Sequence, residues 1–329
     1  MFKHLFSRSV EIIERIQLAL QKPFGFLQKR ARWVRLIIQG VIIVVCVGYL
    51  ALNFRQLQQY QAIIHFRFDY LFYSWGLTFI ALWLGALGWG LVLRSMGLPV
   101  PWGPVAGAHL SSNLAKYLPG YGWQLVGKAY LMRQLGVSTK RVSLAILCEF
   151  SILILSGAGL AAIVTILYPV VAFGTLRLFV VIGGVAALGL LGGLPVILPL
   201  VGRRIWNLES RISLSLFWTT VVVDTTGWIL FGISFWFLGA ALVPVSLMLL
   251  PHFLFAIVGS FLVSLAVLVI PGGIGVRESV MVFLLGAVVG DTPATLIAIS
   301  SRLVWLLSEL AAFFMARIVA RKNTYHFKD

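Results

Sequence analysis

Charged side chains are scarce in this sequence. Only 11% of its 329 residues are charged, whereas 60% are hydrophobic, and the mean hydropathy is +0.99. A single water-soluble core could not bury this much apolar surface. The composition therefore excludes an ordinary soluble domain and indicates that lipid surrounds most of the chain.

Cysteine and histidine are scarce as well. The two cysteines, Cys46 and Cys148, lie within apolar runs, which is more typical of packing residues than of a disulfide. The five histidines are dispersed, and neither an HxxxH nor a CxxC pattern occurs. Because a protein-built metal site needs such ligands close together, we predict no metal ion and no cofactor.

Acidic residues are few, with 10 Asp and Glu against 26 Lys and Arg, which gives a formal net charge of +16. The basic residues lie in short stretches beside apolar runs rather than in one soluble domain. This placement is typical of the cytoplasmic loops of membrane proteins and not of nucleic-acid binding. We therefore expect membrane lipids and no nucleic acid as partners, and a multi-pass protein of the cell membrane with both termini in the cytoplasm.

Long apolar runs predict the fold class. A helix of about 20 apolar residues crosses a bilayer, so we predict an all-α polytopic membrane protein with about eight transmembrane helices. The predicted spans lie near 34–52, 70–93, 142–168, 176–200, 212–241, 246–270, 276–290 and 293–318. These spans form one transmembrane domain, 34–320. Residues 1–33 precede it as a basic segment, either an amphipathic interfacial helix or a basic tail, and 321–329 follow it as a cytoplasmic tail.

Two segments do not fit simple crossings. Residues 104–126 are too polar for a lipid-facing span, and 276–290 is too short to cross alone. We predict that both are broken or re-entrant, which requires burial within protein or beside a wet cavity. Each has a helix-breaking motif, Pro119 with Gly120 in the first, and Pro271 with Gly272 and Gly273 before the second.

Paired interruptions in the two halves of a chain indicate a transporter binding site, because the start of a half-helix attracts anions. Lys116 and Lys128 flank the first break, and Arg277 with Glu278 follows the second. We predict that these cations bind an anionic group. The alternative is that the Pro-Gly pairs are ordinary loop turns and that the cations mark the inner membrane surface.

Four ionisable residues lie deeper in predicted spans: Glu149, Asp224, Arg302 and Glu309. A charge near the bilayer centre costs about 3 kcal/mol or more, so such residues face the bundle interior. Arg302 and Glu309 share a helix face but are too far apart to bond, so each needs another partner. Asp224 has four neighbouring threonines as candidate hydroxyl partners. Glu149 is a binding-site candidate, and the other three are secondary candidates with packing as their alternative role.

Several motifs together resemble a known family, the flippase-like transmembrane region of lysylphosphatidylglycerol synthases and its stand-alone relatives. The matching elements are KYLPG at 116–120, Trp123 four residues after the proline, the basic-Ala-Tyr-Leu element at 128–131, GVS at 136–138, Glu149, and PGG-GVRE at 271–278. At 128 the family pattern often has Arg. The resemblance implies a multi-helix domain that moves a charged or glycosylated lipid between leaflets, with these elements in the binding site.

The leading hypothesis is therefore lipid translocation, with the anionic headgroup bound at half-helix ends. The full synthases also carry a soluble aminoacyl-transferase domain that has no counterpart here, so we expect no lipid lysylation by this chain alone, and no catalytic motif is apparent.

Two alternatives remain open. One is a membrane-embedded transferase with Asp69 as base, and the other is a non-catalytic subunit that recruits a lipid- or glycan-modifying enzyme. Without a Walker motif, transport is passive, ion-coupled or powered by a partner.

Overall fold

The computed structural model describes residues 66–98, 100–117, 123–168, 170, 174–209, 211–266 and 275–322. These ranges contain helices and connecting turns but no strand. Two 3₁₀ turns, Leu114–Tyr117 and Leu247–Leu249, lie between the helices. The helices are α1 (Phe68–Ser95), α2 (Trp102–Asn113), α3 (Trp123–Gln134), α4 (Thr139–Leu167), α5 (Gly174–Trp206), α6 (Leu214–Leu242), α7 (Leu250–Ala266), α8 (Val276–Val289) and α9 (Asp291–Lys322).

Six helices in the described ranges are long and apolar enough to cross a membrane: α1, α4, α5, α6, α9, and α7 together with the 3₁₀ turn before it. The predicted all-α polytopic architecture is therefore confirmed. The predicted count of eight is approximate, since the run 276–290 forms the short helix α8 rather than one of these six. The predicted span 34–52, the basic segment 1–33 and most of the tail 321–329 lie outside the described residues.

Small residues allow α4 and α5 to pack closely. A Cβ added to Gly184 of α5 would lie 2.2 Å from the Cβ of Ala162 and 2.7 Å from the carbonyl oxygen of Ala158, both on α4. Conversely, a Cβ added to Gly159 of α4 would lie 2.4 Å from the side chain of Leu188 on α5. Glycine at such positions lets two backbones approach in a membrane, where close packing and not water exclusion drives helix association.

Helices α1 and α6 run antiparallel and define the two ends of the bundle. At one end the backbone N–H of Arg67 donates to the carbonyl of Ala241 at 3.0 Å. At the other end the N–H of Ser213 donates to the carbonyl of Ser95 at 2.9 Å. We refer to these as the Arg67 end and the Ser95 end.

Helices α2 and α3, with the 3₁₀ turn after α2, form a first hairpin that begins and ends at the Ser95 end. The amide of Gln124 on α3 donates to Asn113 on α2 at 2.7 Å, so the two helices run antiparallel. Leu98 and Val100, which precede the hairpin, pack in one cluster with Met132 near the end of α3 and with Val137 after it. Each helix has 12 residues, about 18 Å of rise, which is less than the hydrocarbon core of about 30 Å.

Helices α7 and α8 form a second hairpin, which begins and ends at the Arg67 end. A Cβ on Gly259 of α7 would lie 3.4 Å from Leu284 of α8, and α8 then turns directly into α9 at Gly290. At the start of α9, Ile297 lies beside Gly239 near the end of α6. With 14 residues, about 21 Å, α8 is also too short to cross alone.

The two hairpins enter the bundle from opposite ends. Helix α1, the first hairpin and α4 make up one unit, and α6, the second hairpin and α9 make up another that runs in the opposite direction. Helix α5 connects them in sequence. Such an inverted repeat is typical of transporters that bind substrate where the two repeats meet.

Candidate functional site

The described parts of the two hairpins meet at a cavity of about 250 Å³ inside the bundle. Side chains of α1, α2, α3, α4, α6, α7, α8, α9 and the first 3₁₀ turn line it. Both hairpins and the long helices around them therefore contribute to a single space. The charged side chains that line it are Lys116, Lys128, Glu149, Asp224, Arg277, Arg302 and Glu309.

Lys128 lies at the centre of the first ion cluster. Its side chain is 1% exposed, and its Nζ donates to Oε1 and Oε2 of Glu149 at 2.7 and 2.5 Å. The same Nζ lies 3.1 Å from Nδ1 of His109 and 4.2 Å from the ring centroid of Trp89. These contacts join α3 to α4, α2 and α1, and they compensate the charge of Lys128 with that of Glu149.

Glu309 on α9 lies at the centre of the second ion cluster. Its carboxylate accepts hydrogen bonds from Lys116 of the 3₁₀ turn, from the hydroxyl of Tyr117 at 2.8 Å, and from Nε1 of Trp305 at 3.0 Å. The carboxylate is therefore bound on both oxygens. This cluster joins the described end of the first hairpin to α9.

The start of α8 carries a third ion pair, between Glu278 and Arg302 of α9. Glu278 also accepts a hydrogen bond at 2.8 Å from the backbone N–H of Gly275, the residue that caps α8. Gly275 has φ +86°, a conformation that favours glycine. With these pairs, Arg302 and Glu309 each have the separate partner that their spacing on α9 requires.

Arg277, the neighbour of Glu278, forms no such ion pair with the residues that the structure describes. It is 6% exposed, and its guanidinium lies 4.2 Å from the ring centroid of Trp305 and 5.8 Å from that of Phe261. Its Nε and Nη2 are buried and have no hydrogen-bond partner within the part of the chain that the structure describes. Buried donors without partners are costly, and the guanidinium geometry fits two oxygens of a phosphate or carboxylate. The arrangement is therefore suited to binding an oxyanion.

Asp224 also lacks a hydrogen-bonding partner among the described residues, although it is only 8% exposed. The four neighbouring threonines, which the sequence offered as hydroxyl partners, bond elsewhere. Thr219, Thr220, Thr225 and Thr226 each donate to the carbonyl four residues earlier on α6. Threonine hydroxyls in helices commonly bond in this way, which leaves the Asp224 carboxyl to the cavity.

Residues 36–312 match the model of one protein family, the lysylphosphatidylglycerol synthase TM region. The chain belongs to this family. The match includes both hairpins and every charged residue that lines the cavity, and it confirms the resemblance seen in the sequence motifs. A comparison with curated proteins gives no match. This member of the lysylphosphatidylglycerol synthase TM-region family is a multi-pass membrane protein tied to lipid metabolism, and membrane lipids are its partners.

The structure brings together seven predicted site residues of this family member, namely the seven charged residues of the cavity lining. Glu278 lies beside them and pairs with Arg302. Trp123 begins α3, is 39% exposed and is not part of the lining. The positions Pro119, Gly120, Pro271, Gly272 and Gly273 lie outside the described residues.

Sequence reasoning missed several lining residues of this TM-region protein. His109 and Asn113 lie four residues apart on one face of α2, a spacing that could have identified them within the polar segment 104–126. Trp305 lies three positions after Arg302 and four before Glu309 on α9. This helical spacing places it on the same face as the two charged residues, so it could also have been predicted from the sequence. Phe231 stacks on Trp305 with ring centroids 4.5 Å apart, a contact that no sequence spacing indicates.

The described residues contain no group of three His, Cys, Asp or Glu side chains placed to hold a metal ion. Asp69, the candidate base of the transferase alternative, accepts a hydrogen bond from Arg67 at 2.9 Å on the protein surface. It is not part of the cavity lining. Among the described residues that line the cavity, Arg277 is the cation without a compensating ion pair.

Proposed function

We propose that this protein translocates a phospholipid or glycolipid between bilayer leaflets and binds its anionic headgroup in the cavity. The observation that carries the proposal is the buried guanidinium of Arg277, whose Nε and Nη2 have no partner among the described residues. A phosphate oxygen pair would satisfy both donors and compensate the charge.

The charges near the start of α8 support an anionic ligand. Lys116 pairs with Glu309, and Arg302 pairs with Glu278, so Arg277 leaves this region with one uncompensated positive charge. The N-terminus of α8 adds a partial positive charge from its helix dipole. A lipid phosphate supplies the missing negative charge, while its acyl chains stay in the surrounding bilayer.

The helix-breaking residues belong to the same proposal. We expect the headgroup to contact these residues along its path because they lie close to Lys116 and Arg277 in the sequence: Pro119, Gly120, Pro271, Gly272 and Gly273, together with Trp123, the first residue of α3. Backbone groups freed by such interruptions bind ligands in transporters built from inverted repeats.

Orientation and partner are further parts of the proposal. The Ser95 end carries basic residues in the last turn of α3, the first turn of α4, the last turn of α5 and the connection from α5 to α6: Arg133, Lys140, Arg141, Arg203, Arg204 and Arg211. Basic loops favour the cytoplasmic side. We place the Ser95 end and both termini there, where a lipid- or glycan-modifying enzyme could supply the lipid.

The test is leaflet translocation of fluorescently labelled lipids in vesicles that contain the purified protein. Labelled phosphatidylglycerol, phosphatidylethanolamine and phosphatidic acid are compared by chemical bleaching of the outer leaflet. We expect Arg277→Gln to slow translocation of the transported lipid about tenfold or more, because hydrogen bonds to a charged group contribute about 1.5–3 kcal/mol. Arg277→Lys keeps the charge but loses the two-point contact with the phosphate. Its translocation rate should therefore fall between that of the unmodified protein and that of Arg277→Gln.

The matched control is Arg203→Gln, which removes an exposed arginine at the end of α5. Its translocation rate should equal that of the unmodified protein. The proposed headgroup site would be contradicted if Arg277→Gln and the unmodified protein translocated lipid at the same rate, provided that both were faster than protein-free vesicles. No acceleration of any labelled lipid by the unmodified protein would contradict translocation itself.

A further inference from the structure

Asp224 has an environment that the binding of an anionic headgroup does not explain. It lies on α6 against α1, where a Cβ on Gly88 would be 2.6 Å from its Oδ1. It lines the cavity, is 8% exposed, and accepts no hydrogen bond from the described residues. An ionised carboxylate that is buried without a donor is strongly disfavoured.

The nearest cation cannot compensate Asp224 without breaking an existing pair. The Nζ of Lys128 donates to both oxygens of Glu149 and lies 3.1 Å from Nδ1 of His109. Lys128 supplies one positive charge, whereas Glu149 and an ionised Asp224 would supply two negative charges. In this arrangement the cluster is neutral when Asp224 holds a proton.

Other titratable or charged groups around Asp224 are limited to a few elements. The helices α1 and α7, which pack on α6, contribute no charged side chain to the described cavity lining. Helix α4 contributes Glu149 to the cavity lining and carries the fully buried thiol of Cys148 outside it, and α9 contributes Arg302 and Glu309 to the lining. The other facing groups are Lys128 on α3 and His109 on α2.

We infer that Asp224 is a proton-binding site that couples proton movement to translocation of the anionic headgroup. This inference rests on the proposed function. With the proton bound, the cavity keeps the one uncompensated positive charge of Arg277 and favours an anion. Without it, the second negative charge beside Lys128 opposes the anion and draws Lys128 away from Glu149.

Proton and headgroup therefore promote each other's binding, and this effect is reciprocal by thermodynamic linkage. Each transport cycle carries one proton from water to the Asp224 carboxylate and releases it to water on the other side, together with the anionic lipid. A proton gradient then drives the lipid in the direction in which the protons flow.

The first arm of the test detects the proton directly. Purified protein in lipid nanodiscs is transferred between acidic and alkaline buffer, and infrared difference spectra record the carbonyl stretch of protonated carboxyl groups. We expect a band from a buried carboxyl group that is absent in Asp224→Asn. The control Asp291→Asn, which changes an exposed acid at the start of α9, should keep the band.

The second arm uses vesicles with labelled phosphatidylglycerol, an imposed proton gradient and a clamped membrane potential. For one proton per lipid, a gradient of one pH unit should shift the equilibrium ratio between leaflets about tenfold. Asp224→Asn resembles the protonated state, so it should still exchange lipid but with a ratio that ignores the gradient. Asp291→Asn should respond like the unmodified protein.

Three results would overturn the inference. One is a carboxyl band that persists in Asp224→Asn, and another is a leaflet ratio that ignores the gradient in the unmodified protein. The third is loss of all exchange in folded Asp224→Asn, which would make the carboxylate a direct ligand for a cationic headgroup. If the unmodified protein moves no lipid in either gradient, the proposed function fails and the coupling fails with it. The infrared band then still reports whether Asp224 binds a proton.

Discussion

Replacing Lys128 with methionine is expected to lower the free energy of unfolding by about 3 to 5 kcal/mol, because it leaves one partner of a buried ion pair without compensation. Glu149 would lose the ammonium group that contacts both of its oxygens. Among the described residues, its remaining close partner would be His109, whose Nδ1 lies 3.2 Å from Oε1. Methionine fills similar space, so lost packing should contribute little. The unfolding of purified protein in detergent, followed by intrinsic fluorescence, measures the change.

A double variant separates the charge effect from any other effect of the substitution. Lys128→Met combined with Glu149→Gln removes both charges, so it should be more stable than Lys128→Met alone. Lys140→Met changes an exposed lysine at the start of α4 and should unfold like the unmodified protein. A Lys128→Met protein as stable as the Lys140→Met protein would show that the pair does not hold α3 against α4.

Gly184→Ala is expected to separate α4 and α5 and to destabilise the protein by about 1 to 3 kcal/mol, the usual cost of overpacking. The added methyl group would meet the Ala158 carbonyl oxygen at 2.7 Å, and a backbone atom cannot turn away as a flexible side chain can. Thermal unfolding in detergent provides the measurement.

The adjacent Gly183 is the matched control, because a Cβ there meets nothing within 4 Å. Gly183→Ala should be neutral or should stabilise the helix by up to about 1 kcal/mol, since alanine is the better helix former. Equal stability of the two alanine variants would contradict the close approach of α4 and α5.

The long helices could be predicted because their apolar length is a property of the sequence alone. The run 70–93 corresponds to α1 (Phe68–Ser95), and 293–318 corresponds to α9 (Asp291–Lys322). The interruption of 104–126 could also be predicted, since a polar segment with a Pro-Gly pair cannot form a lipid-facing span. These features depend on local chemistry.

The ion pairs could not be predicted, because they depend on which helices become neighbours. Lys116 and Glu309 are 193 positions apart, and spacing on one helix does not identify a partner on another. The same limit applies to Asp224, for which the sequence offered neighbouring threonines as candidate hydroxyl partners. In the helix those hydroxyls bond their own backbone, and the carboxyl group faces residues from distant parts of the chain.

The inverted arrangement of the two hairpin units has a consequence for the direction of the transport that we propose. If the two units exchanged their conformations, a cavity open toward one membrane face would become open toward the other, with similar helix contacts. The difference in free energy between the two states then arises from the positions at which the two units differ, such as Lys128 in one and Arg277 in the other. Such a scaffold is close to reversible, so under the proposed function the lipid and ion gradients across the membrane, rather than the fold, would set the direction of net flow.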